Sequence, residues 1–348
     1  MSALEAARQL RYLLSPLDKW RFDPKTEELC INKPGEVFVR QNGRFERHDV
    51  DIDFECAFDI AVLAGALNQQ NVSETNPLLA ADLPDGERLQ AVLPPCVPQG
   101  TVSLTLRVPG SKVAPLETMT SRYRLDKWNR WDQREKTQRE NYKTLLYAYD
   151  SGDIIRFFRE VVRLKVGLIM CGSTGSGKTT ALKTIVSIME AYERIITIEN
   201  ALEVDIINQP NHVRLLYSHG EQSMSNVTQK QLLEAYLRMR PDRGCVGELR
   251  DPEAAFTFLS ECLTGHPGSP SSIHGKNAPQ AANRLFNLFK ASDGGKSFSD
   301  EMIISQLGMA VDVIVPFGEK EGIFEIGEVW LAPDAERRGT DFRELLGR

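Results

Sequence analysis

The stretch "CGSTGSGKTT", Cys171–Thr180, decides the fold. An apolar run "VGLIMC" (Val166–Cys171) precedes it and the helix-favouring "KTTALKTIVSIME" (Lys178–Glu190) follows it, so the local order is strand, glycine loop, helix. Gly172, Gly177, Lys178 and Thr179 fit the spacing G-x-x-x-x-G-K-[ST]. Glycines let successive backbone N–H groups turn toward phosphate oxygens, and the N-terminus of the following helix adds positive potential. The expected cradle is therefore Gly172, Ser173, Thr174, Gly175, Ser176, Gly177, Lys178, Thr179 and Thr180, with Lys178 reaching the β- and γ-phosphates of ATP and Thr179 binding Mg2+.

Downstream of the loop, strand-like and helix-like segments alternate. "RIITIE" (Arg194–Glu199), "GCVGE" (Gly244–Glu248) and "SSIH" (Ser271–His274) read as strands, and "VTQKQLLEAYLRM" and the segment opening at Asp251-Pro252 read as helices. Such alternation implies a mostly parallel sheet flanked by helices, with ligands bound at the carboxyl ends of the strands. Glu199 and Glu248 both close predicted strands. Either alone is an ordinary strand-end charge, but two carboxylates beside a phosphate loop can divide the work of hydrolysis, one holding the hydration shell of magnesium and one orienting the attacking water. His266 and His274 lie eight residues apart in "TGHPGSPSSIH" with no cysteine or carboxylate at ligand spacing. A structural histidine and a histidine that senses the γ-phosphate both remain open at this point.

Ahead of the loop the character changes. "ELCIN" and "EVFVR" are strand-like, Asn42-Gly43 offers a hairpin turn, "CAFDIAVLAGALNQQ" is helical, and "ERLQAVLPP" and "TVSLTLRVP" are strand-like again. Alternation in "TVSLTLR" puts Arg107 on the polar face of its strand, and Arg88 shares a face with Gln90. Between the two regions, Arg122–Lys143 is rich in basic residues with Tyr123, Trp128, Trp131 and Tyr142 interleaved. It reads as a solvated linker helix whose aromatics dock on the protein; direct contact with nucleic acid or a membrane surface stays open. The expected organisation is α/β: an N-terminal α+β domain over 1–110, a linker over 111–150, and a RecA-like P-loop domain with a mostly parallel sheet over 151–348.

Bulk properties constrain partners only weakly. The 348 residues are 41% apolar and 26% charged with a net charge of −6, which argues against a surface covered with nucleic-acid contacts. Six cysteines are scattered without a C-x-x-C pair, so neither a zinc site nor a disulfide framework is expected. The opening "MSALEAARQLRYLL" is interrupted by Glu5, Arg8 and Arg11 and is no signal peptide, and no run approaches a membrane span. A cytoplasmic location is expected.

Four ordered segments carry a family resemblance: "GSTGSGKTT", "RIITIENALEV", "LRMRPDRGCVGELRDPEA" and "TGHPGSPSSIH" resemble the Walker A, Asp-box, Walker B and His-box motifs of the secretion ATPases. "INKPGEVFV", "GERLQAVLPP", "GTVSLTLRVP" and "NHVRLLY" further resemble the VirB-type traffic ATPases of type IV secretion. The resemblance implies a Mg-dependent ATPase that works as a homohexameric ring, peripheral on the cytoplasmic face of the inner membrane. It further implies contact with other type IV secretion ATPases and inner-membrane secretion subunits, and a role in machine assembly and in transfer of DNA or effectors. It assigns catalytic roles to Lys178, Glu199 and Glu248, magnesium contacts to Thr179 and, through water, to Glu199 and Glu248, and nucleotide contacts to His266, His274, Arg88 and Arg107. A type II secretion or pilus motor, or a weakly hydrolysing nucleotide-bound scaffold ring, are the alternatives. Departures from the family pattern are Asn200 in place of aspartate, Gly244-Cys245 in place of bulky aliphatics, and Ser272 in place of threonine.

Overall fold

A computed structural model describes residues 3–109, 142–217 and 225–347. Most of the linker segment 122–143 singled out above therefore lies outside the described residues. The described residues form two sheets, each with its own apolar core.

The first sheet is antiparallel and follows the order β3-β2-β1-β6-β5-β4, with β1 Thr26–Ile31, β2 Glu36–Gln41, β3 Arg44–Asp49, β4 Leu78–Asp82, β5 Arg88–Val92 and β6 Ser103–Arg107. Asn42 (φ 51°) and Gly43 (φ 79°) make the two-residue turn between β2 and β3, since that turn needs both central residues left-handed. One face of the sheet is covered by the helices Ala3–Leu14 and Phe54–Leu67, which bury Leu10, Leu14, Ile60 and Ala64 against Leu29, Val39, Leu89, Leu104 and Leu106. Asp53 starts the second of these helices by accepting a bond from Cys56 N at 2.8 Å.

The second sheet runs β13-β12-β7-β11-β10-β8-β9, with β14 Trp330–Leu331 paired to β12. Its strands are β7 Leu168–Gly172, β8 Ile195–Glu199, β9 His212–Leu216, β10 Arg243–Val246, β11 Ser271–His274, β12 Val313–Lys320 and β13 Ile323–Ile326. The strands from β12 to β9 are mutually parallel, and only β13 and β14 pair antiparallel. Strand alternation sorts the apolar residues to two faces. On one face Ile169, Cys171, Ile196 and Ile198 meet the helices Gln229–Arg238, Pro252–Thr264, Ala278–Ala291 and Asp300–Ala310; on the other Leu168, Met170 and Ile195 meet Lys143–Asp150, Ile154–Arg163 and Lys178–Ser187. Residues 143–150, read with the linker in the sequence, are thus a helix that buries Leu145 and Ala148 in the core beneath the phosphate loop. An eight-residue apolar stripe was too short to separate from its charged neighbours by periodicity alone.

The first unit lies along β9 and shields that edge strand, whose Leu216 N donates to Cys96 O at 2.8 Å. Arg194, fully buried, ties the units together. Its guanidinium donates to Met239 O at 2.9 Å, to Asn32 Oδ1 at 2.8 Å, to Thr105 Oγ1 at 3.3 Å and to Asn211 Oδ1. A buried cation held by neutral acceptors is stable only while those acceptors stay in place. Arg194→Ala strands Asn32, Asn211 and a backbone carbonyl, and should lower stability by about 3 kcal/mol. Urea unfolding followed by tryptophan fluorescence measures this, and an unchanged midpoint would mean that the contact between the units does not depend on Arg194.

Candidate active site

The parallel sheet brings Gly172, Glu199, Glu248 and His274 to one edge, beyond the carboxyl ends of β7, β8, β10 and β11. Glu199, Glu248 and His274 line a cleft of about 300 Å³ together with Lys178, Thr179, Asn200, Arg250 and Ser272, and with Thr174 and Gly175 of the loop. Ser173 lines the neighbouring groove along the helix Ala278–Ala291, again with His274.

Backbone geometry makes the cradle. Gly175 (φ 81°) and Gly177 (φ 87°) are left-handed, and Gly177 stands at the N-terminus of the helix Lys178–Ser187 with no side chain over its free N–H groups. A Cβ at Gly172 would lie 2.3 Å from Ser176 Oγ and 2.4 Å from Phe317 O, so no larger residue fits there. Lys178 Nζ donates to Gly172 O at 2.8 Å and Ser173 O at 2.7 Å, which holds the ammonium over the first turn of the loop. Burial lowers the Lys178 pKa, and the nearby Glu248 charge partly offsets that.

The two carboxylates differ in their surroundings. Glu199 is buried and saturated: Oε2 accepts Glu203 N at 2.9 Å and Val204 N at 2.7 Å, and Oε1 accepts the Thr197 hydroxyl at 2.6 Å with Arg214 Nε at 3.4 Å. It anchors the loop that carries Asn200. Glu248 stands two residues past the end of β10, bonded through Oε2 to Arg250 at 2.6 Å. His274 Nε2 lies 3.0 Å from Glu248 Oε1 but off the axis of a hydrogen bond, which leaves that buried oxygen without a donor among the described residues. An acceptor held in place with one oxygen unused is suited to take a proton.

His266 does not join the cleft. It precedes β11 and so stands at the opposite edge of the sheet from His274, edge-on to Tyr236 with ring centroids 5.4 Å apart. Burial lowers its pKa. Arg88 and Arg107 do not reach the phosphate loop of their own chain either. They face each other across β5 and β6 and line a second cleft, of about 450 Å³, with Glu28, Arg238 and Arg240. Burial pushes the Glu28 carboxyl up to about 7 against the pull of Arg107, Arg240 and Arg194. Arg238 and Arg240 lead into the amino end of β10, so this cleft sits at the far edge of the sheet from the cradle.

Two departures noted in the sequence have packing reasons. A Cβ at Gly244 would lie 2.8 Å from the hydroxyl of the buried Tyr236, which occupies the space an aliphatic side chain would need. Ser272 Oγ donates to Gly247 O at 2.7 Å, so serine supplies the hydroxyl that joins β11 to the Glu248 loop. Arg250 and Arg214 were missed as site residues. Arg250 follows Glu248 by two positions in "GELRD", the one local signal available; Arg214 is brought to Glu199 only by the pairing of β8 with β9.

A glycine cradle on β7, carboxylates on the strands to one side of it and helices on both sheet faces define a RecA-like P-loop nucleotide-hydrolysing protein. The chain belongs to the type II/IV secretion system protein family, whose model matches residues 21–316. Protein VirB11 of Agrobacterium fabrum strain C58 is 49% identical over 345 residues, covering 99% of this chain and all of that protein. The type IV secretion system protein VirB11 of Brucella suis biovar 1 is 34% identical over 342 residues, 97% of this chain and 94% of that protein. The crystal structure of the VirB11 ATPase from the Brucella suis type IV secretion system in complex with sulphate superposes with a TM-score of 0.88 at 32% identity, covering 97% of this chain and 98% of that one.

The contrast between the carboxylates yields a double test. Glu199→Gln can keep a carbonyl oxygen on the Glu203 and Val204 amides but turns an NH2 donor toward Arg214 Nε and the Thr197 hydroxyl, and should cost about 2 kcal/mol in stability besides activity. Glu248→Gln should leave the melting temperature within about 2 °C of wild type and abolish phosphate release. Thermal unfolding and a phosphate assay on both variants check this; equal melting temperatures would deny Glu199 its anchoring role.

Proposed function

We propose that the chain is the ATP-hydrolysing subunit of a hexameric ring that energises assembly of a type IV secretion machine and transfer of its DNA or protein cargo. The observation that carries this reading is the meeting of Lys178, Thr179, Glu248 and His274 in one cleft, in a chain whose relatives along nearly its full length are VirB11 proteins. No described helix is long and apolar enough to cross a membrane. We place the ring at the inner face of the inner membrane, held there by other secretion subunits.

The residues fit a magnesium nucleotide. The loop shape excludes a side chain at Gly172, and among the described residues the N–H groups of the helix start have no side-chain cap and the buried Glu248 Oε1 has no donor. Thr179 would contact magnesium directly and Glu248 through water; Glu199, expected from the sequence to share that role, has both oxygens taken up by Glu203 N, Val204 N, Thr197 and Arg214 and would shape the site by holding its wall. Bound there, the ion would neutralise charge on the β- and γ-phosphate oxygens. Lys178 supplies positive charge to the same oxygens, Glu248 orients the attacking water and accepts its proton, and His274 stands where the γ-phosphate ends. Arg250 fixes the Glu248 rotamer through the 2.6 Å bond.

Arg88 and Arg107 enter from another subunit. Both stand at the far edge of the sheet from their own cradle, so a guanidinium can reach phosphate only across a contact between copies. We divide the chain into an N-terminal domain over 1–110, a linker, and a nucleotide domain reaching to residue 348, with the helix Lys143–Asp150 moving with the latter. Lys178→Ala should reduce phosphate release at least about a hundredfold, because it removes charge that stabilises the transition state. Mixing Lys178→Ala chains with Arg107→Ala chains should restore part of the lost rate, since some sites then pair an intact cradle with an intact arginine. Near-wild-type hydrolysis by Lys178→Ala alone overturns the assignment, and no recovery on mixing overturns the action between subunits.

A further inference from the structure

The hairpin of β12 and β13 carries exposed apolar side chains, Ile323 at 67%, Phe324 at 62% and Ile326 at 40% exposure. Phe324 is no stray surface residue. A methyl group at Gly177 would lie 3.3 Å from Phe324 Cδ1 and 3.6 Å from its Cε1 and Cγ, so the ring rests on the last glycine of the phosphate loop.

Sheet order says which end of a nucleotide would meet it. Gly172 is flanked by His274 of β11 on one side and by Phe317 of β12 on the other. Glu248 and Glu199 follow on the His274 side, beyond β10 and β8. The terminal phosphate must face the carboxylate that orients the attacking water, so the triphosphate runs from the His274 side toward the β12 side. The nucleoside then leaves the loop where the hairpin stands.

We infer that Phe324 is a stacking platform for the base of the bound nucleotide, reached over Gly177. This rests on the reading of the loop as an ATP site. Phe324 and Ile326, two apart on one strand, share a face and would extend the apolar contact. An aromatic face left open to solvent on one side and braced on the backbone on the other suits stacking, which every base can satisfy. The hairpin would then set affinity without selecting strongly among bases.

The test compares ATP with inorganic tripolyphosphate, which has the phosphates but no base, on wild type and on Phe324→Ala and Phe324→Tyr. Phe324→Ala should weaken ATP binding about tenfold and leave tripolyphosphate unchanged, while Phe324→Tyr keeps wild-type affinity for both. Calorimetric titration of the full chain reads all six values. Equal losses for ATP and tripolyphosphate would make the ring a brace for the loop and overturn the proposal. Unchanged ATP affinity in Phe324→Ala also overturns it, most tellingly if the ring of subunits falls apart instead. If wild type binds neither ligand, the reading of the loop fails first and the platform with it.

Discussion

The parallel hydrogen-bond ladder on either side of β7 is the constraint from which the site follows. Because β11 pairs with β7 residue for residue, Gly172 has His274 as its neighbour; because β10 pairs with β8, Glu248 and Glu199 come out at the same edge. Beyond the carboxyl ends of these strands the chain turns into loops, whose backbone and polar side chains are left to meet a ligand. Backbone pairing thus sets the cradle and the histidine side by side, and Glu248, two residues beyond its strand, is brought to them by the same ladder and steadied by Arg250. Their mutual geometry is as rigid as the sheet.

That rigidity is reinforced where the site needs an unpaired group. Glu199 spends its lone pairs on the Glu203 and Val204 amides, Thr197 and Arg214, and so fixes the far wall of the cleft. Glu248 keeps one oxygen free, steadied by Arg250 on the other. One carboxylate saturated and one half-used is a division of labour that two identical side chains acquire only from their surroundings. Arg194 plays a comparable part at a larger scale, since its bonds to Asn32, Thr105 and Asn211 set how the first sheet lies on the second. Anything that moves the first sheet moves Arg88 and Arg107 with it.

Periodicity and turn chemistry read out most of the architecture. The Asn42-Gly43 hairpin, the alternation in "TVSLTLR" and the apolar runs of β7 and β8 each correspond to an element within a residue or two. Short amphipathic pieces were less legible. The helix Lys143–Asp150 looked like linker because its two buried residues, Leu145 and Ala148, make too brief a pattern. In the first helix Leu4 is exposed while Ala6 is buried, a rotation that the packing of that helix against Phe54–Leu67 sets.

By itself, the sequence determined the phosphate loop, the strand-helix alternation and the resemblance to secretion ATPases, because each is written in contiguous residues whose local conformations are narrow: glycines at left-handed positions, a strand before them, a helix after. Only the tertiary structure decided which distant residues share a space. His266 and His274 look equivalent along the chain but stand at opposite edges of the sheet, one against Tyr236 and one beside Glu248. Arg88 and Arg107 face the cleft of Arg238 and Arg240 instead of their own cradle, and Phe324 comes from beyond residue 300 to lie on Gly177. Strand order has no counterpart in local sequence: it is settled by which crossovers bury both faces of the sheet together, and that is a property of the whole core.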